Sequence, residues 1–135
     1  MPEAVTSSRV VRTGAGPIEV RWAEVTHQGR RRENNQDAVL SAFPLFVVAD
    51  GMGGHIGGEI ASSRTVERLS AAVERGAVSP DLIEDALERA VDDIASHAET
   101  TDDGTGTTVT GVYLDLTGDE PTWVTLNIGD SRGYL

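Results

Sequence analysis

Asp50 closes a short apolar run, Leu45-Phe46-Val47-Val48-Ala49, and Gly51, Gly53 and Gly54 follow it. The run has the length and β-branching of a fully buried strand. A carboxylate at the end of such a strand is held rigidly and partly shielded from water. That position is costly for an unpaired charge and is relieved by a hard cation. The glycines let backbone come close to whatever binds there. Two further acids have comparable settings. Asp37 ends a polar loop and opens a strand pattern, and Asp130 sits in the turn Asn127-Ile128-Gly129-Asp130-Ser131-Arg132. Three aspartates near strand ends, with no cysteine and only three histidines, favour Mg²⁺ or Mn²⁺ over Zn²⁺. Arg30, Arg31 and Arg32 shortly precede Asp37. A guanidinium beside a metal-binding acid suits phosphate, because its planar fork grips two oxygens.

Each of these residues also has a plainer reading. Asp50 could be a solvated acid in a strand-to-helix turn, and every one of the aspartates suits a turn. Arg30 and Arg31 fit an exposed hairpin tip. A nucleotide-binding glycine loop is a third possibility, but its spacing requires glycine where Ile56 stands. The chain has no lysine to serve a phosphate-binding loop either, since all eleven basic residues are arginine.

The 135 residues suffice for one small domain, and 39% hydrophobic content marks it as globular. A net charge of −11 argues against nucleic acid and anionic membrane as partners. Without cysteine there is no thiol nucleophile and no thiolate metal site. The N-terminal stretch lacks a signal-like apolar region, and no apolar run approaches a membrane span. A cytoplasmic protein is the expectation.

The acids need elements to position them. Residues 1–17 read as a flexible tail and 18–135 as the folded part. Ile18–Val25 alternates as a half-buried strand, with Ile18, Val20 and Trp22 on one side. Strands resume at Ala38–Leu40 and Leu45–Ala49. Gly58–Glu74 reads as a helix whose Val66, Leu69 and Val73 share a face, with Gly76 as its C-cap. Ser79-Pro80-Asp81 begins a second helix, where Ile83, Leu87, Ala90, Val91 and Ile94 form the core stripe. Strands are expected at Thr107–Leu116 and Thr122–Ile128, with another starting at Ser131.

Taken together, four ordered segments resemble the metal-dependent protein phosphatases, the PPM or type-2C Ser/Thr phosphatase family, and most closely its bacterial members. The segments are Gly29–Asp37, Val48–His55, Gly106-Thr107-Thr108 and Gly129-Asp130-Ser131-Arg132. The resemblance implies an α+β fold, a four-layer α-β-β-α sandwich of antiparallel sheets, of which this chain holds the N-terminal half. It implies a centre of two or three Mn²⁺ or Mg²⁺ ions between the sheets. Asp50 would bridge two of them, the Gly51 carbonyl would ligate one, Asp37 would stand beside them and Asp130 would serve a third. Asp37 and Asp50 would be the catalytic acids, and Arg32 would bind the substrate phosphate. His55 does not align with the histidine that directly follows Asp-Gly in eukaryotic members, where this chain has Met52.

The implied activity is hydrolysis of phosphoserine and phosphothreonine on proteins by a metal-activated water, with Ser/Thr kinases and their substrates as partners. Two departures bear on it. Gln36 replaces the glutamate often found before Asp37 and adds no charge. The later Ser-Asp-Gly and Asp-Asn segments, which supply two more metal-ligating aspartates, do not occur here. The segment alone is therefore expected to be inactive, metal-poor and prone to associate through an unpaired edge near Ser131–Leu135. A non-catalytic binding or regulatory module of the same fold, a pseudophosphatase, is the alternative.

Overall fold

Val5–Thr13 (β1) and Gly16–Glu24 (β2) open the computed structural model as an antiparallel ribbon. The structure describes residues 4–27, 29–30, 35–53, 57–76, 78–98 and 104–135. The ribbon turns over Gly14-Ala15, where the Thr13 hydroxyl donates to the Gly16 carbonyl at 2.6 Å and accepts the Ala15 N–H at 3.2 Å. The tail expected over residues 1–17 is thus largely strand. Most β1 side chains are exposed, so the segment lacks the buried alternation that marks a strand in sequence. Its partner is a ladder rather than a core.

Five strands build the main sheet: Asp37–Ala42 (β3), Leu45–Met52 (β4), Gly106–Thr107 (β5), Val109–Asp115 (β6) and Thr122–Ile128 (β7). All pairs are antiparallel in the order β3-β4-β6-β7, with β5 also on β4. The strand expected from Thr107 is divided at Thr108. Both parts keep one register against β4, with Gly51 opposite Thr107 and Val48 opposite Thr110.

Gly57–Glu74 (α1) and Pro80–Ala98 (α2) cover one face. Ser79 caps α2, with its Oγ accepting the Leu82 N–H at 3.3 Å. Alternation aims Leu45, Val47 and Ala49 of β4 at the helices, where all three are buried. The core joins them to Leu40, Val109, Tyr113, Leu69, Ile83 and Ala86. Within the expected α2 stripe, Val91 is 63% exposed, and Ala86, absent from that stripe, is buried. The α2–α1 crossing selects small side chains, which lets Ala86 and Ala90 approach.

The opposite face carries Asp37, Val39 and Ser41 beside Phe46, Val48 and Asp50. The ribbon lies across this face. Trp22 stacks on Phe43 and meets Phe46, with centroids 5.8 and 5.0 Å apart. The Arg9 guanidinium sits 4.8 Å from the Phe43 ring centre. A groove of about 990 Å³ remains beside this contact. Consequently β4 is buried on one face only, contrary to the expectation of a fully buried strand: Val48 is 43% exposed. Ser131–Leu135 forms no strand and instead lines the groove. The sheet ends on two edge strands, β3 and β7, of which β7 is the more exposed. The layers are a helix pair, a sheet and a ribbon in α-β-β order, which matches the α+β sandwich with its second sheet incomplete.

The helices are tied by Arg68, whose Nε and Nη2 donate to the two carboxylate oxygens of Asp93 at 2.7 and 2.8 Å. That guanidinium holds the Asp93 carboxyl below its ordinary range. A carboxyl lowered on folding stabilises the fold above its unfolded pKa and loses that contribution as pH falls through the folded value. In unfolding experiments from about pH 7 to about pH 2, the wild-type advantage over Asp93→Asn should shrink toward the acid end, starting below the ordinary Asp value of about 3.9. A gap that stays constant with pH would contradict the pairing.

Candidate metal centre

Asp37 and Asp50 are direct cross-strand partners in the β3–β4 ladder. Side chains so paired share a face, with Cβ atoms about 4.5–5.5 Å apart. Both residues are exposed and lie on the groove side of the sheet. Like charges directly opposite one another destabilise a sheet, and a bound cation removes that cost. The donors at this sheet end are carboxylate and backbone oxygens, which suits Mg²⁺ or Mn²⁺. The pair therefore fits the expected ion. Among the described residues, no three His, Cys, Asp or Glu side chains gather as an ion-holding group.

The strand end is fixed from behind. The Gln36 carbonyl accepts the Gly51 N–H at 3.0 Å and the Ser62 hydroxyl of α1 at 2.7 Å. The Gln36 carboxamide donates to the Gly53 carbonyl at 3.1 Å. Gly51 is buried, and a Cβ there would overlap the Gly58 carbonyl. A Cβ on Gly58 would stand 2.8 Å from the Gly51 carbonyl carbon, the Met52 nitrogen and the Gln36 side chain. The start of α1 thus lies directly on the end of β4, and only glycine permits that approach.

Asp130 reaches the same sheet end by another route. The register that pairs Val109 with Ile128 brings Gly129 to Thr108, which in turn neighbours Asp50. Gly129 has φ +103°, and a Cβ on it would meet the Thr108 side chain at 2.7 Å. Asp130 itself is exposed in the turn. Arg32 and His55 lie outside the described residues, while Arg30 is exposed. Sequence reasoning missed Gln36 as a fastener, along with Ser62 and Thr108. Gln36 stands out in sequence for its lack of charge, and its carboxamide bond to Gly53 has no local sequence signal.

A family model described as protein phosphatase 2C matches residues 26–133. The chain belongs to the protein phosphatase 2C family. The serine/threonine protein phosphatase PstP of Mycobacterium tuberculosis is 39% identical over 123 residues, an alignment covering 87% of this chain and 23% of that protein. The crystal structure of the PPM Ser-Thr phosphatase MsPP from Mycobacterium smegmatis, in complex with cacodylate, superposes with a TM-score of 0.68 at 30% identity. That match covers 96% of this chain and 46% of the other. The catalytic domain of PstP in complex with two manganese ions gives a TM-score of 0.64 at 27% identity, over 98% and 50% of the two chains. The present phosphatase 2C chain thus spans about a quarter of the mycobacterial protein's length and about half of each solved structure.

The glycine contact generates a prediction in which two effects compete. Alanine is the better helix former by up to about 1 kcal/mol, but its Cβ at position 58 would have to displace backbone. Overpacking of this kind costs about 1–3 kcal/mol, so Gly58→Ala should destabilise. A lowered urea midpoint is the expected observation, and an unchanged or raised midpoint would count against the close approach.

Proposed function

We propose that this chain supplies the N-terminal half of a metal-dependent phosphatase domain that hydrolyses phosphoserine and phosphothreonine on proteins. The opposed Asp37–Asp50 pair at the glycine-fixed strand end is the observation that carries this reading, and the family membership supports it. Asp50, Asp37 and the Gly51 carbonyl would hold Mn²⁺ or Mg²⁺, with Asp130 serving a further ion. When bound, such ions supply a water acidic enough to act as a nucleophile near neutral pH, and positive charge facing the phosphoryl oxygens.

The protein groups then have separate tasks. Asp50 and Asp37, on adjacent strands, keep two negative charges at a fixed spacing. Gln36 and Ser62 hold the strand end that carries Asp50 against α1. Arg32 would donate two N–H groups to the non-bridging phosphate oxygens, orienting the phosphorus and offsetting its developing charge. Phosphorylated proteins, with the Ser/Thr kinases that produce them, are the inferred partners, and the cytoplasm is the inferred compartment. No helix among the described residues is long and apolar enough to cross a membrane.

In the intact protein, Asp50→Asn should abolish Mn²⁺-dependent phosphopeptide hydrolysis and weaken Mn²⁺ binding in calorimetry, with the circular dichroism spectrum retained. Unchanged Mn²⁺ binding in that variant would sink the assignment. Among the described residues no three acids gather as an ion-holding group, and the 135-residue segment is expected to need further acids to complete a centre. With Mn²⁺ and phosphopeptide it should turn over far more slowly than about 1 per second, the low end of ordinary enzymes. A rate at or above that value for the isolated segment would refute the expected dependence on further residues.

A further inference from the structure

Thr108 occupies an unusual position in the sheet. It is the residue at which β5 gives way to β6, although both keep one register along β4. Its N–H donates to the Asp50 carbonyl at 2.9 Å, and its Oγ1 accepts the Asp50 N–H at 3.2 Å. The same Oγ1 lies 2.9 Å from Ser131 Oγ, in a hydrogen bond to which either hydroxyl can contribute the proton. Ser131 directly follows Asp130, and the preceding Gly129 packs on the Thr108 side chain. One half-buried hydroxyl thus touches the backbone of Asp50 on one side and the turn carrying Asp130 on the other.

We infer that Thr108 is a positioning residue: its hydroxyl, paired with that of Ser131, fixes the Asp130 carboxylate relative to Asp50 for cation binding. The inference rests on the metal-centre reading above. Asp130 stands beyond the end of β7, past the left-handed Gly129, so the β6–β7 ladder alone does not set its orientation. The Thr108–Ser131 bond adds a tether immediately beside it. Valine has nearly the shape of threonine, so Thr108→Val removes the tether with little change in packing. Serine at 108 keeps it.

The test measures Mn²⁺ affinity and stoichiometry in the intact protein by calorimetry and by electron paramagnetic resonance of free Mn²⁺. Asp130→Asn defines the ion that depends on Asp130. Thr108→Val and Ser131→Ala should each weaken that ion about tenfold, the scale of a lost outer-shell hydrogen bond, and leave the tightest ion within about twofold. Thr108→Ser should retain wild-type binding. Both substitutions remove the Thr108–Ser131 bond, and Thr108→Val also removes the acceptor of the Asp50 N–H, so the double variant should be no weaker than Thr108→Val alone. In the metal-free protein, amide exchange over 129–132 should quicken in Thr108→Val but not in Thr108→Ser.

Losses that multiply in the double variant would overturn the tether. So would a lowered thermal midpoint with unchanged Mn²⁺ binding, which marks a purely structural role. If Asp130→Asn weakens an ion but Thr108→Val does not, the tether fails alone. If Asp130→Asn changes nothing, the role given to Asp130 in the metal centre fails, and the tether with it.

Discussion

The close approach of Gly51 to Gly58 is the contact on which the rest of this fold depends. It brings the first turn of α1 against the end of β4 with no side chain between them. The helix axis is then fixed relative to the strand, and Leu69 further along α1 comes down on Leu45 and Val47. Ser62 strengthens the arrangement through the Gln36 carbonyl, which the Gly51 N–H also uses. Three segments distant in sequence meet at one carbonyl oxygen. The residue following that carbonyl is Asp37 and the residue preceding Gly51 is Asp50. The packing constraint and the acidic pair are therefore parts of one construction.

The sheet has two faces with different demands. Toward the helices, small and branched side chains close a core in which Ala49, Ala61 and Leu69 are fully buried. Toward the ribbon, contact is made by a few aromatic rings, and the groove beside them leaves Val48 and Trp123 substantially exposed. The acids lie on this second face. A carboxylate on the helix face would be desolvated without compensation. On the groove face it stays open to water and to a cation. The strand's period of two thus separates stability from chemistry within six residues of β4.

Charge follows the same division. Asp93 of α2 is answered by Arg68 of α1, a bidentate pair that joins the helix layer. Asp37 faces Asp50, a carboxylate opposite a carboxylate. Positive charge beside such a pair favours its ionised form. The pair is also the local arrangement that phosphate chemistry on hard cations uses.

Much of this was legible in the chain itself. Helices over 58–74 and 80–98 follow from apolar spacing and from the Ser79-Pro80 start, and these signals act within a turn or two of helix. The acid after an apolar run and the glycines behind it pointed to Asp50 for the same local reason. Other features depended on partners distant in sequence. Val5–Thr13 reads as a polar tail because its hydrogen bonds go to β2, not to a core. Val91 lies on the apolar stripe, yet the crossing with α1 leaves it in solvent and buries Ala86. Ser131–Leu135 resembles a strand but is turned away at Gly129. The roles of Gln36 and Thr108 could not be read locally, since a carboxamide or hydroxyl declares its partner only when the strands align. Sequence by itself determined residue chemistry and short-range periodicity. Tertiary structure decided which groups meet, because register and helix crossing are set by contacts between segments tens of residues apart.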